Sequence, residues 1–201
     1  MAIQPQRGGL RWVKSNTNQD SPPIVRLVVA SAYATGLFAG DPLKQIADGT
    51  CEAAAAGDAI SHVLVSVERY IDSEGAVRSG AFLPASTTYT GTVSLMNPNA
   101  SVVLAIPVAN QIFEVDIPDA AASQTAAQAY VYSCIDVVAN AGSTSNGQSG
   151  YTTGLVATFA ASSAQLKLVE IPNYGRDGAL NSPTSTYWKG WFEVYEQVTT
   201  V

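Results

Sequence analysis

His62, the only histidine in the chain, is the first residue to test for chemistry, because imidazole is the usual general base near neutral pH and the commonest metal ligand. It lies between Ser61 and Val63 in a valine-rich segment, and no second histidine is present to complete a zinc site. A Ser-His-Asp triad would have to use His62, and no Gly-x-Ser-x-Gly motif occurs in the sequence. We therefore expect a strand histidine with a local hydrogen bond rather than a catalytic base or a ligand.

Glu114 and Asp116 are the carboxylates whose spacing could form a site, since they alternate with Phe113, Val115 and Ile117. This period of two predicts a strand with one buried face and one face in solvent. Two carboxylates on one face could form an acid/base pair or a calcium site. The ordinary interpretation, which we favour, is a solvated face beside lysine or arginine partners.

The remaining polar residues that could do chemistry have simpler explanations. Asp41, Asp48 and Asp58 each neighbour a glycine, and turn geometry accounts for them without a ligand. The glycines form neither of the two common phosphate-binding motifs. Cys51 and Cys134 are too few and too far apart for a zinc knuckle, so we expect two small buried thiols, with a single bridge as the alternative. We predict no catalytic residue, no metal site and no cofactor, and hence no enzymatic activity.

Six aromatic residues gather toward the C-terminus: Tyr174, Tyr187, Trp188, Trp191, Phe192 and Tyr195. Such a group could stack on sugars or bases, whereas a core cluster or a subunit contact is its commoner use. Trp188 and Trp191 exposed along a groove would favour sugar binding, and the same residues buried would favour a structural role.

The composition limits the partners. Only 13% of the 201 residues are charged, about half the usual proportion, while 47% are hydrophobic. We expect copies or partners to cover part of so sparsely charged a surface. The net charge of −6 and the lack of a basic run argue against nucleic acid as the main partner. No apolar run approaches the roughly 18 residues of a membrane span, and residues 1–9 lack the apolar core of a signal peptide, so we expect synthesis in the cytosol and no membrane partner.

The elements that must position these residues are short β-rich runs separated by turn signals, which predicts an all-β barrel or sandwich. Residues 24–29 are the more continuously apolar run and predict a central strand, and residues 191–195 predict a closing strand. Alternating runs centre on Val63, Val65 and Val67, on Val102, Leu104 and Ile106, and on Leu166 and Leu168. Asp119 can cap the only short helix, over residues 120–128.

The sequence also predicts a division into two parts. Residues 1–23 are polar and end in Pro22-Pro23 before the first firm strand, so we expect an N-terminal arm that orders against a neighbour. Residues 24–201 would then form the β-barrel or sandwich domain, with an exposed loop at residues 142–150.

Part of the sequence resembles the head-decoration proteins of tailed phages. The segments are Gly40-Asp41-Pro42-Leu43-Lys44, then Asp48-Gly49-Thr50, then Ala56-Gly57-Asp58-Ala59-Ile60 before a valine-rich strand. In that family a G-D-x-V/L strand precedes an A-x-G-D-x-I strand, and the two form part of a small barrel.

A second stretch is similar to a family of small phage proteins encoded beside the major capsid protein. It runs from Ser101-Val102-Val103-Leu104 through Ile112-Phe113-Glu114-Val115 and the 142–150 loop to Leu166-Lys167-Leu168 and Pro172-Asn173. The order of the pieces carries the resemblance, which covers most of the chain from about Gly9. Residues 178–187 are an insertion relative to the family, and the N-terminal arm matches no part of it.

The resemblance implies a decoration, or cement, protein. Such a protein binds the outer surface of an assembled capsid, bridges major capsid protein subunits and brings no catalytic residues. We expect a homo-oligomer, most suitably a trimer, located in the virion after synthesis in the host cytoplasm. The alternative is a carbohydrate- or receptor-binding β-module on a virion or cell surface.

Overall fold

The computed structural model describes residues 8–17, 19–85, 91, 94–160 and 164–195. Those residues form fifteen strands, one α-helix of five residues and one 3-10 turn at Val156–Thr158, which confirms the predicted all-β class. Within the same residues no helix is long and apolar enough to cross a membrane.

Five antiparallel strands form the first sheet, sheet A. Their order is β1 (Arg11–Ser15), β10 (Gln111–Ile117), β15 (Trp188–Val194), β14 (Leu166–Glu170) and β11 (Cys134–Ile135). The strand predicted at residues 191–195 is therefore the longer β15, and it lies in the middle of sheet A. Because β10 and β15 each have a neighbour on both sides, their main-chain groups are paired along both edges.

Six strands form the second sheet, sheet B. Their order is β2 (Val25–Val28), β9 (Val102–Pro107), β6 (His62–Ile71), β4 (Pro42–Gln45) and β5 (Cys51–Ala53), and β7 (Val77–Gly80) also pairs with β6. Two further strand pairs lie outside the large sheets: β3 (Leu37–Phe38) with β8 (Phe82–Leu83), and β12 (Val137–Val138) with β13 (Thr152–Thr153).

Sheet B curls until its two end strands meet. The N–H of Ala30, just after β2, donates to the carbonyl of Cys51 in β5 at 2.9 Å, and Val29 forms a parallel bridge with Cys51. The concave side encloses one hydrophobic core, which includes Val29, Leu43 and Val103 together with Leu37 and Leu83 of the β3–β8 pair. The architecture therefore combines a small barrel-like sheet with a second sheet packed against its outside.

Sheet A packs on the outer side of sheet B and forms the larger core. Val63 and Ile106 of sheet B belong to the same buried cluster as Phe113, Leu168 and Phe192 of sheet A. Sheet B thus contributes to cores on both sides, so strands β6 and β9 bury residues on both faces.

Two sequence predictions about sheet B need correction. Residues 24–29 include β2 (Val25–Val28), which stands at the end of the strand order of sheet B rather than in its centre, and Val28 and Val29 are buried because the sheet curls there. Val65 is exposed although Val63 and Val67 are buried, because a β-bulge at Val65 interrupts the alternation.

The helix is shorter than predicted and begins later. Helix α1 covers Gln124–Gln128, and the Ser123 hydroxyl caps it by accepting the N–H of Ala126 at 3.0 Å. The predicted cap, Asp119, instead offers its carbonyl to the indole N–H of Trp188 at 2.7 Å.

The predicted boundary between an arm at residues 1–23 and a domain at 24–201 also needs correction. Leu10 is buried in the larger core, and β1 pairs with β10 in sheet A. The strand was not recognised in the sequence because the residues that pair with it are distant in the chain. The indole N–H of Trp12, for example, donates to the side-chain carbonyl of Gln111 at 2.7 Å. Residues 1–7 lie outside the described residues, and the prediction that the N-terminus reaches a neighbouring subunit stays a prediction.

The attachment of β1 gives a stability test. Replacing the buried Leu10 by alanine should lower the free energy of unfolding in urea by about 2–5 kcal/mol, the usual range for a buried leucine. The matched variant Leu180→Ala, at an exposed site, should change it by no more than about 0.5 kcal/mol. Equal effects of the two variants would show that residues 10–15 are an arm independent of the core.

Candidate functional site

The structure corrects the predicted environment of Glu114 and Asp116. Every residue of β10 is buried, and the exposed fractions of Glu114 and Asp116 are 0% and 2%. Phe113, Val115 and Ile117 of β10 face the larger core, and the carboxylate face is covered by residues from β1 and from the segment between β14 and β15. The face that the alternation assigned to solvent is therefore an interior surface.

Arg11 forms an ion pair with both carboxylates. One of its terminal nitrogens, Nη2, lies 2.9 Å from Glu114 Oε1 and 2.9 Å from Asp116 Oδ1. The register brings these groups together, because Arg11 stands directly opposite Glu114 across the β1–β10 pair. The expectation of a basic partner is thus correct for the residue type, while the expectation of a solvated face is wrong.

The segment that follows β14 closes over this charge cluster. The backbone N–H of Arg176 donates to Glu114 Oε2 at 2.9 Å, and its guanidinium donates to the carbonyl of Trp12. Lys189, opposite Asp116 in the β10–β15 pair, forms an ion pair with Asp177. Sequence reasoning missed Arg11 and Arg176, since neither is near the carboxylates in the chain.

Asn181 holds the inserted segment, residues 178–187, in place. Its side-chain N–H groups donate to the carbonyls of Pro172 and Lys189, both at 2.8 Å, and its side-chain oxygen accepts the N–H of Lys189 at 2.8 Å. The insertion is therefore anchored to the end of sheet A.

The charge cluster has the geometry of a structural cross-link rather than of an acid/base site. Burial raises the pKa of Asp116, while Arg11 and Lys189 oppose that shift by favouring the carboxylate. Asp116 Oδ2 and Arg11 Nε are buried without a hydrogen-bond partner, so the cluster is held together at an energetic cost. Across the described ranges no group of three or more His, Cys, Asp or Glu residues could hold a metal ion.

His62 and the two cysteines occupy the environments that the sequence predicts. His62 Nδ1 lies 2.9 Å from the hydroxyl of Ser61, which confirms a local hydrogen bond, and burial lowers the pKa of the imidazole. Cys51 and Cys134 are both buried thiols, and no disulfide joins them. Burial raises the pKa of Cys51 to about 12, so its thiolate is not populated near neutral pH.

The C-terminal aromatic residues do not form one surface. Trp188 and Phe192 point into the larger core, where the exposed fraction of Trp188 is 1%. Trp191 lies on the opposite face of β15, and the ammonium group of Lys14 sits 4.7 Å from its ring centroid. The period of two along β15 separates residues that look clustered in sequence. Trp188 and Trp191 therefore do not line a common groove, which is the arrangement that would have favoured sugar binding.

Two neighbouring grooves form a surface with almost no charged lining residues. The first, of about 460 Å³, is lined by Val138, Leu155 and Tyr187 among others, and the second, of about 380 Å³, lies beside Phe38 and Phe82. The grooves share the lining residues Asn140 and Ala141, so they are adjacent. We call the residues lining both grooves the neutral surface. Among the described residues of this surface the only charged one is Asp41, which is 3% exposed.

The second groove, here called the aromatic pocket, is shaped by two stacked phenylalanine rings and by a glycine that packs on one of them. Phe38 and Phe82 face each other across the β3–β8 pair, with ring centroids 5.4 Å apart and planes at 8°. Gly142 approaches so closely that a Cβ there would lie 2.3 Å from the Phe38 ring. Only glycine therefore allows the 142–150 loop to form one wall of the pocket.

Asp41 lies in the wall of the aromatic pocket. Its Oδ2 accepts the N–H of Phe38 at 2.8 Å, which is the turn role that the sequence predicts. Burial raises the pKa of Asp41 to about 6, although the hydrogen bonds from Ser149 and from the Phe38 N–H oppose the shift. The hydroxyl of Tyr151, also in the wall, donates to the carbonyl of Ala54 at 2.9 Å.

Comparisons with family models, with curated proteins and with solved structures return no match. The residues themselves offer two different features: a charge cluster whose two carboxylates are buried, and a neutral surface with exposed apolar side chains. Sequence reasoning missed the neutral surface, and its only signal was the run of Gly, Ser, Thr and Asn at residues 142–150.

The charge cluster gives a second test. Arg11→Met leaves two buried carboxylates without a counter-ion and should lower the free energy of unfolding by about 3–5 kcal/mol in urea denaturation. Adding Glu114→Gln and Asp116→Asn to that variant should restore part of the loss, because the uncompensated charges are removed. The matched variant Arg26→Met breaks only the exposed pair with Glu68 and should cost no more than about 1 kcal/mol. A similar small cost for Arg11→Met would contradict the cross-link.

Asp41 gives a pH-dependent test. Its pKa rises from 3.8 to about 6 on folding, so the folded state binds the proton more tightly, and stability falls as pH rises between about 4 and 6. Asp41→Asn removes this dependence. The stability of the variant relative to the natural protein should therefore increase by about 2 kcal/mol from about pH 4 to pH 7, measured by urea unfolding. Burial also raises the pKa of Asp116, but this changes the stability of the variant and of the natural protein equally, so it does not affect the difference between them. A difference that does not vary with pH would contradict the buried carboxylate.

Proposed function

We propose that the protein is a non-enzymatic structural component of a phage virion. In this proposal it binds the outer surface of an assembled capsid and stabilises it by bridging major capsid protein subunits. The observation that supports it best is the neutral surface, with its exposed Val138, Leu155 and Tyr187 and no exposed charged side chain among its lining residues. Such a surface suits lasting attachment, because charged residues are depleted from the centres of protein interfaces.

The distribution of charge supports the same proposal. Glu114 and Asp116 are buried and form ion pairs with Arg11, so neither carboxylate is presented at the outer surface. An attachment surface without charge depends on buried apolar area and main-chain hydrogen bonds, both of which salt affects weakly. The net charge of −6 gives no basis for a nucleic acid partner. We propose neither a nucleic acid nor a membrane as a partner.

We propose that the protein acts as a homo-oligomer, with a trimer as the arrangement best suited to a local threefold axis of a capsid. Several copies joined in one ring bind a lattice more tightly than separate copies, because the second and third contacts become intramolecular. Light scattering that gives the mass of a monomer at high concentration would contradict the trimer.

The alternative, a carbohydrate-binding module, has one specific observation in its favour. Tyr132 and Tyr195 are exposed and lie on either side of Lys167, whose ammonium is 5.7 Å and 5.8 Å from the two ring centroids. Exposed tyrosines can stack on sugar rings. Glycan binding that is lost on Tyr132→Ala, with capsid attachment unaffected, would favour this alternative.

The test of the capsid proposal uses particles that lack the protein. Adding it back should raise the temperature at which heated particles release their genome, because binding only the assembled lattice disfavours disassembly. Attachment should be nearly the same between about 0.15 and 0.5 M salt, since little charge is involved. Particles equally heat-resistant with and without the protein would contradict the proposal.

A pair of variants locates the attachment surface. Leu155→Asp places a charge on the neutral surface and should weaken attachment at least about tenfold, because the charge must be desolvated on binding. Val77→Asp makes a similar change at an exposed site outside both grooves and should leave attachment unchanged. If both variants attached equally well, the contact with the capsid would lie outside the neutral surface.

A further inference from the structure

The aromatic pocket has the dimensions of a site for a small molecule. Its volume of about 380 Å³ falls within the range of about 300–1,000 Å³ that is usual for ligand pockets. Since one water molecule occupies about 30 Å³ of liquid, this space corresponds to about a dozen non-hydrogen atoms. That is the size of a two-ring aromatic compound with a short side chain.

The wall of the pocket favours a flat apolar group. Phe38 and Phe82 present stacked rings, and Ala53, Pro84 and Ala139 add small apolar surfaces. Aromatic rings prefer offset or edge-to-face contacts with other rings, so a planar ligand gains both apolar burial and ring contacts here. Gly142 is part of the wall formed by the 142–150 loop, and its lack of a side chain lets the loop lie against the Phe38 ring.

Asp41 sets the polarity of the ligand. It is the only charged residue among the described residues that line the pocket, and no lysine or arginine there balances it. A carboxylate can accept about four hydrogen bonds, and those from Phe38 and Ser149 leave capacity for a donor from a ligand. A positively charged donor would gain a charge-assisted hydrogen bond, whereas a negatively charged ligand would be repelled.

From this geometry we infer that the aromatic pocket binds a small aromatic amine, whose ring packs on Phe38 and Phe82 while its ammonium group donates to Asp41. This site goes beyond the proposed role on a capsid and does not depend on it, because the argument uses only the residues of the pocket. The binding is non-covalent, and no reaction is involved.

The test measures the affinity of three probes that differ in charge: tryptamine, indole and indole-3-acetate. Calorimetry or NMR titration of the full chain at about pH 8 should give the tightest binding for tryptamine and the weakest for indole-3-acetate. The difference between the two should be at least about tenfold, the effect of one charge-assisted hydrogen bond. In Asp41→Asn the preference for tryptamine should disappear while indole still binds.

The pH dependence gives a second readout on the folded natural protein. At about pH 5 Asp41 becomes protonated, and the preference for tryptamine should shrink. The other titratable groups that act on Asp41, Tyr33 and Tyr151, stay neutral over this range because burial raises the pKa of both phenols. A preference for tryptamine that is unchanged at about pH 5 would contradict a contact with Asp41.

Two further variants place the site. Thr144→Trp fills the pocket from its exposed rim and should abolish binding of tryptamine and indole. Tyr174→Ala removes an exposed aromatic residue outside the pocket and should leave binding unchanged. Equal affinities for the three probes, no binding of any probe, or full binding by Thr144→Trp would overturn the inference, and none of these results would bear on attachment to capsids.

Discussion

The ion pairs of Arg11 with Glu114 and Asp116 are the interaction on which the rest of the architecture depends. Two carboxylates in the interior of a sheet are unfavourable unless a cation reaches them, and Arg11 reaches both from the neighbouring strand. The N-terminal strand β1 is therefore an integral part of sheet A. The same carboxylate, Glu114, also accepts the backbone N–H of Arg176, so the segment between β14 and β15 is fixed by the same charge cluster.

Charge is distributed unevenly in the protein. Three of its 26 charged residues form the internal cluster. Among the described residues that line the neutral surface, only the nearly buried Asp41 is charged. A surface of this kind is open to apolar partners and is insensitive to salt, and both properties suit a protein that remains attached to an assembly.

The two grooves of the neutral surface differ in how they are supported. The aromatic pocket depends on the 142–150 loop, which is tied to β3 because the N–H of Ser149 donates to the carbonyl of Ala39 at 2.9 Å and Gly142 packs on Phe38. The neighbouring groove depends on the short β12–β13 pair and on Tyr187, which adopts a left-handed backbone conformation with φ of 65°. Such a conformation is uncommon for a bulky residue, and Asn181 holds the inserted segment in which it occurs.

The sequence by itself determined the all-β class, the strands at residues 102–107, 111–117 and 166–170, the hydrogen bond of His62 and the two buried thiols. These features follow from local periodicity and from the chemistry of neighbouring residues. Only the tertiary structure decided that the carboxylate face of β10 is interior, because Arg11 lies 105 positions from Asp116 and Arg176 lies 62 from Glu114. It also decided that β2 stands at the end of the strand order of sheet B, that Trp188 is buried in the larger core, and that the 142–150 loop forms a pocket wall. Alternation shows which residues share a face of a strand, and the element that covers that face is set by contacts between distant parts of the chain.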